Sequence, residues 1–453
     1  MFRTQAFMFF FLLELKLPKA KGNCNFIEPQ SHCVCSLLES TGMKNFIQCL
    51  PAATYELREG NLEEFAGFAG IKPDERIVEI LKALQVRKLI FTDLFVPENI
   101  LPSAMEFVSY APLVSELEFV NCTFLRTSQW PPTGRLNMQV SSLRFHKVTA
   151  APLDDRLDMA QLKRWLKILQ NLTVTESQVT SIPCKIGKMF TALHFLDVSG
   201  NHFHDRSMES SFCEGVFPQL QVLKLHHNNL TSYETVCKTI GHLKMLTHLD
   251  LSQNGFLPRD FSSSCMWPHS LHVFNLSNTG LEHIDRSLPP NIEILDLSAN
   301  NIFTLDLSLP GLKELYLSNN SLQTVPSLSR LPHLEVLNLD QNQISELPSK
   351  GLKHLHSLKA GHNLYNCSCS HHIREIQDLA AKPSLLPDWP QDYICKSPPH
   401  YQDFLVKDVP LSSLLCNKAL VSHGSIVNLL ISLYLIFCWL PVPPFSDTSF
   451  HQL

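Results

Sequence analysis

The chain has 453 residues, 44% of them apolar, and a net charge of −5 from 42 acidic and 37 basic side chains. That length would suit two or three globular domains, and the dispersed charge, with no long basic run, excludes a nucleic-acid surface. Fourteen cysteines are too many for a typical cytosolic protein and point to an oxidising compartment.

Residues 1–22 read as a secretory signal. Arg3 precedes the apolar run from Ala6 to Leu13, and cleavage is expected near Ala20 or Gly22. Residues 23–85 follow as a cysteine cap and a first helix. Cys24, Cys33, Cys35 and Cys49 are spaced C-x8-C-x-C-x13-C. A disulfide-braced cap and a zinc site are the two readings; C-x-C spacing is atypical for zinc, and no His pair follows at finger spacing. Between Asp74 and Gln85, Ile77, Ile80, Leu81 and Leu84 recur at helical spacing behind acidic residues, which predicts a core-facing helix. It runs into an expected first strand at Val86.

From Val86 the chain repeats. IEILDLSANNI (292–302), LKELYLSNNSL (312–322) and LEVLNLDQNQI (334–344) are three copies of L-x-x-L-x-L-x-x-N-x-L, the leucine-rich-repeat pattern. Each copy predicts a short strand with inward Leu side chains. The Asn amide satisfies backbone groups that the following turn would leave unpaired. One coil cannot bury its own apolar face, so the pattern implies a stack. Further copies start at Leu193, Leu220, Leu246, Leu271 and Leu355, and weaker ones near Val86, Val114, Val140 and Leu169. Cys122 and Thr279 stand where Asn is expected. The expected fold class is α/β: a leucine-rich-repeat solenoid, a curved horseshoe of about twelve coils over residues 86–365, with disulfide-braced caps at both ends. Starts from 193 to 271 lie about 26 residues apart, and those from 292 to 355 about 21. The earlier coils therefore leave more chain on the convex side, and a change of curvature is expected near Ile292.

Residues 366–418 hold Cys367, Cys369, Cys395 and Cys416 and read as a C-terminal cap. Ala419 to Leu440 has no Asp, Glu, Lys or Arg and is long enough to span a bilayer. The 13 residues after it carry no Lys or Arg and have no room for a signalling domain. Residues 419–453 are thus a glycolipid-anchor signal or a short transmembrane segment with a tail, either one a link to the membrane.

No H-E-x-x-H, G-x-S-x-G or phosphate-loop motif is present, so neither an enzyme nor a metal or other cofactor is expected. The pairs His226–His227 and His371–His372 read as surface residues. Off the repeat template, the N-terminal region holds Phe65, Phe68, Ile71, Phe95, Ile100, Leu101 and Met105. They line an apolar pocket or pack the helix against the first coil. Arg58, Lys72, Arg76, Arg87 and Lys88 lie near enough in sequence to meet phosphates at its rim. Glycosylation sequons stand at Asn121, Asn171, Asn229, Asn275, Asn319 and Asn366. Asn171 and Asn275 fall at outward strand positions, where a glycan would cover the concave face.

The cysteine cap, LKALQVRKL (81–89), VPENILPSAM (96–105) and SSCMWPHSLHVFNLS (263–277) resemble the monocyte differentiation antigen family. The resemblance implies a secreted or glycolipid-anchored co-receptor. Such a protein would take bacterial lipopolysaccharide from a serum transfer protein, hold its acyl chains in an apolar N-terminal pocket, and pass it to Toll-like receptor complexes. It also implies bridges Cys24–Cys35 and Cys33–Cys49 in the cap. Cys184 and Cys213, like Cys237 and Cys265, lie about one coil apart, within bridging distance of neighbouring coils, and the family's pattern supports both pairs. The C-terminal cysteines, with Trp389 and Tyr393, resemble the cap of Toll-like receptors, which implies Cys367–Cys395 and Cys369–Cys416. The mammalian antigen lacks this full cap. The expected function is a cell-surface pattern-recognition co-receptor for bacterial lipopolysaccharide or lipopeptide. The alternative is a protein-binding repeat receptor, such as a decoy Toll-like ectodomain without its signalling domain.

Overall fold

A computed structural model describes residues 23–37, 48–63, 75–98, 108–125, 139–153, 163–257, 265–284, 288–382 and 384–411. Residues 1–22, expected as a secretory signal, and residues 412–453, which include the expected membrane link, lie outside the described residues. Among those that are described, no helix is long and apolar enough to cross a membrane.

One sheet of sixteen strands runs the length of the solenoid. The cap supplies β1 (Asn23–Ile27) and β2 (His32–Ser36), an antiparallel pair. Then come β3 (Thr54–Asn61), β4 (Lys88–Pro97), β5 (Glu116–Val120), β6 (Thr123–Leu125), β7 (Ser142–His146) and β8 (Asn171–Thr175). The coils continue with β9 (Phe195–Asp197), β10 (Val222–Lys224), β11 (His248–Asp250), β12 (Val273–Asn275), β13 (Ile294–Asp296), β14 (Glu314–Tyr316), β15 (Val336–Asn338) and β16 (Ser357–Lys359). From β2 onward every pairing in this sheet is parallel. The first parallel strand is therefore not the one expected at Val86. In β3 the alternation Thr-Tyr-Glu-Leu-Arg places Tyr55 and Leu57 in line with Leu89 and Phe91 of β4, although no repeat template surrounds them.

The core is the inward row of these strands. Leu196, Leu223, Leu249, Phe274, Leu295, Leu315, Leu337 and Leu358 are Cα partners from coil to coil, and all are buried. Each such burial contributes about 1.5–3 kcal/mol. Nearer the N-terminus the row beside it is aromatic: Phe119 stacks on Phe91 at 4.8 Å and on Phe145 at 5.3 Å.

A second ladder closes the turns. Asn201, Asn228, Asn254, Asn300, Asn320, Asn342 and Asn363 are all buried. Asn228 is typical: its amide donates to the carbonyls of Leu225 in its own coil and Val198 in the coil before, and its oxygen accepts the Phe203 N–H at 3.0 Å. The residue before each ladder Asn, and before Thr279 in the same row, turns the chain left-handed, from Gly200 and His227 to Gln341 and His362, with φ between 52° and 66°. In the early coils Leu94, Cys122 and Val148 take the Asn position and are buried there.

The convex side changes along the chain. It carries α1 (Glu75–Ala83), α2 (Lys163–Leu166), α3 (Cys184–Gly187), α4 (Asp205–Ser211) and α5 (Tyr233–Ile240). Ser232 caps α5 by accepting the Thr235 N–H. Between α5 and α6 (Ser370–Ala380) the described residues contain no helix, and from Leu271 onward the coils are the shorter ones. On this side Cys184 bonds Cys213 and Cys237 bonds Cys265.

Disulfides brace both ends of the solenoid. At the first, Cys24 bonds Cys35 and Cys33 bonds Cys49. At the last, Leu358 of β16 donates its N–H to Leu385, and α6 buries Ile373, Ile376 and Leu379. Beyond the sheet, β17 (Tyr365–Asn366) pairs with β18 (Cys395–Ser397), and Cys367 bonds Cys395. Tyr365 stacks on Tyr393 with centroids 5.6 Å apart. Cys369 is disulfide-bonded too, and its expected partner Cys416 lies outside the described residues.

Candidate functional site

The N-terminal strands are the long ones: β4 has 10 residues, whereas β9 to β16 have 3 each. Asp93, with φ 56°, divides β4 in two. The first half pairs with β3 and β5, and the second, Leu94–Pro97, meets the end of β3 and β6. Leu94 and Val96 turn into the core. Phe95 between them turns out, stands in register with Asn61 and Thr123, and is 50% exposed. Of the apolar residues singled out in sequence, Phe95 alone is described. Phe65, Phe68, Ile71, Ile100, Leu101 and Met105 lie outside the described residues.

Beside this end, the concave face carries two ion clusters. In the first, Glu56 is buried on β3 and accepts from Nε and Nη2 of Arg58 and from the Thr92 hydroxyl, with His32 of the cap at 3.1 Å. Burial, the largest influence, pushes the Glu56 carboxyl up. The hydrogen bonds from Arg58 and Thr92 and the charges of Arg58 and His32 outweigh it and hold the group below its ordinary value. In the second, Glu118 on β5 lies 2.6 Å from Lys88 of β4 and 3.3 Å from Arg144 of β7. This cluster borders a depression of about 370 Å³ that reaches across Thr173 and Asn171 to Phe195. Two of the cations expected at a lipid rim, Arg58 and Lys88, are thus held by carboxylates on the concave face. Arg87 is exposed, and Lys72 and the Arg76 side chain lie outside the described residues.

The depression was not singled out in sequence. The signal was present: superposing the copies one period apart puts Lys88, Glu116, Glu118 and Arg144 all at outward positions, with Asn171 and Phe195 next along the row. Among the sequons, Asn121, Asn229 and Asn319 are exposed, and Asn171, Asn275 and Asn366 are half-buried. Cys122 is a free, buried thiol whose one S–H lies within reach of the Phe91 and Val120 carbonyls, and burial pushes its pKa up to about 11.

The fold and its braced ends define a leucine-rich-repeat solenoid. The leucine rich repeat family matches at residues 290–344 and 310–364. Over 362 residues the chain is 32% identical to Toll-like receptor 2 type-2 of Gallus gallus, covering 79% of this chain and 45% of that protein. It is 31% identical over 400 residues to Toll-like receptor 2 of Mus musculus, covering 86% and 50%. The chain thus spans about half the length of the curated relatives it matches. The crystal structure of the mouse RP105/MD-1 complex contains a similar fold, with a TM-score of 0.51 and 18% identity over 79% of this chain and 63% of that one. The protein is a leucine-rich-repeat protein related to Toll-like receptor ectodomains.

Proposed function

We propose that this chain is an extracellular pattern-recognition co-receptor of innate immunity. It takes up bacterial lipopolysaccharide or lipopeptide at its N-terminal end, receives it from a lipid transfer protein, and hands it to a Toll-like receptor complex. The observation that carries this reading is Phe95: an aromatic ring half exposed beside the cap, with the other off-template apolar residues before and after it in the sequence. Acyl chains gain about 0.8 kcal/mol per methylene buried there, enough in sum to leave a micelle. The relationship to Toll-like receptors and the disulfides support an extracellular setting. Attachment to the membrane through residues 419–453 belongs to the same proposal; release by a phosphatidylinositol-specific phospholipase would identify a glycolipid anchor, and retention a transmembrane span. The direct test is binding of labelled lipopolysaccharide and lipopeptide to the secreted protein, with and without transfer protein. Saturable binding supports the reading, and its absence for both lipids ends it.

A second reading, a protein-binding repeat receptor, is favoured by the charged concave depression between Lys88 and Phe195. Loss of a protein partner on Arg144→Ala, with lipid binding absent, would select it.

A further inference from the structure

We propose that the concave depression is the seat of the chain's own N-linked glycan, carried by Asn171. Asn171 is followed by Leu172 and Thr173, the acceptor pattern, and it lies on the outward side of β8 at the depression itself. Its side-chain amide makes no hydrogen bond within the described residues. The other half-buried sequons differ: Asn275 accepts the Ser277 N–H and Asn366 the Ser368 N–H.

The surroundings suit a sugar. Asn171 stands in register with Phe195 on β9, one strand away. Adjacent strands lie about 4.8 Å apart, so a pyranose linked to Asn171 reaches the Phe195 ring. The electron-rich ring face attracts the polarised C–H groups of a pyranose. From β10, on the far side, the Lys224 ammonium lies 5.6 Å from the ring centroid and holds it in place. The other wall offers Thr173 and the Lys88–Glu118–Arg144 cluster, whose donors and acceptors match hydroxyl and acetamido groups. Glu116, 3.9 Å from Lys88, brings this wall to two positive and two negative charges, which fits a neutral saccharide. A tethered ligand also has an effective concentration in the millimolar range, so it displaces free saccharides.

Attachment is ordinary group transfer. The Asn171 amide nitrogen bonds to the anomeric carbon of a lipid-diphosphate-linked oligosaccharide. The anomeric C–O bond breaks, the lipid diphosphate departs with its electron pair, and one amide proton is lost. The seat closes the concave face from β4 to β9 to other partners, so an occupied Asn171 also counts against the protein-binding reading. It does not depend on lipid uptake.

The experiment is native deglycosylation of the secreted full chain by peptide N-glycosidase, followed by site-resolved mass spectrometry. Asn171 should be occupied and released at least tenfold more slowly than the exposed Asn229 and Asn319. Denaturation should equalise the sites, and Phe195→Ala should bring Asn171 to the rate of the exposed ones. Should Phe195→Ala not be secreted, Arg144→Gln tests the opposite wall in the same way. An unoccupied Asn171, native release as fast as at Asn229 and Asn319, or no acceleration in either variant would overturn the proposal.

Discussion

Asn300 holds Thr279, one coil upstream: its side-chain oxygen accepts the Thr279 N–H at 3.0 Å and lies 3.2 Å from the Thr279 hydroxyl oxygen. The relation is one-sided. Thr279 occupies the Asn row, yet its hydroxyl otherwise reaches only the Leu276 carbonyl of its own coil, with no bond to the coil before. Asn300→Ala would leave the buried N–H groups of Thr279 and Leu281 without their acceptor, at a cost of about 3 kcal/mol. Thr279→Asn should restore the missing link and stabilise by about 1 kcal/mol. Chemical denaturation of both variants checks the pair. A loss on Thr279→Asn would show that the ladder cannot accept a further Asn here.

How far the repeats were legible follows from this ladder. From Leu193 onward, Leu and Asn recur because each inward position and each turn poses one recurrent demand, and the strands fall where the template puts them. The left-handed residue before each ladder Asn or its Thr279 substitute was not legible. Gly, His, Gln, Asn and Ala all occupy that position, since an exposed turn tolerates each of them. Strand β3 was missed because Tyr55 and Leu57 do the work of template Leu residues with no Asn to mark the turn. The charged depression was missed because outward positions obey no pattern, and it emerges only when register brings Lys88, Glu118 and Arg144 together. Phe95 stood out for the opposite reason: it is apolar where the template makes no demand.

Cys122 should be inert in the folded protein. With its pKa near 11, it holds almost no thiolate at pH 8. Iodoacetamide should leave it unmodified in native protein and label it fully after denaturation, read by peptide mass spectrometry. Rapid native labelling would mean that the coil around Phe91 opens.

Glu56 makes the junction between cap and first coils acid-sensitive. Its folded pKa lies below the unfolded value of about 4.3. The stability it contributes is therefore fully present above that value and is lost as pH falls through the lower folded one. Glu56→Gln should be less stable than the parent at pH 7, and the gap should close on acidification below about pH 4. Thermal unfolding across this range measures it. A gap independent of pH would remove the carboxylate charge from the explanation.

The central claim is that lipid enters at the N-terminal end, and Phe95 gives the most direct access to it. Because Phe95 turns away from the core, Phe95→Asp should be secreted and unfold at the parent's temperature. It should lose at least tenfold in affinity for labelled lipopolysaccharide or lipopeptide, as expected when a charge replaces an aromatic contact to an acyl chain. The measurement is a direct binding titration of parent and Phe95→Asp, with Arg144→Ala on the concave face as the control. Loss in Phe95→Asp alone is the predicted result. Unchanged affinity in Phe95→Asp, or loss only in Arg144→Ala, would contradict it.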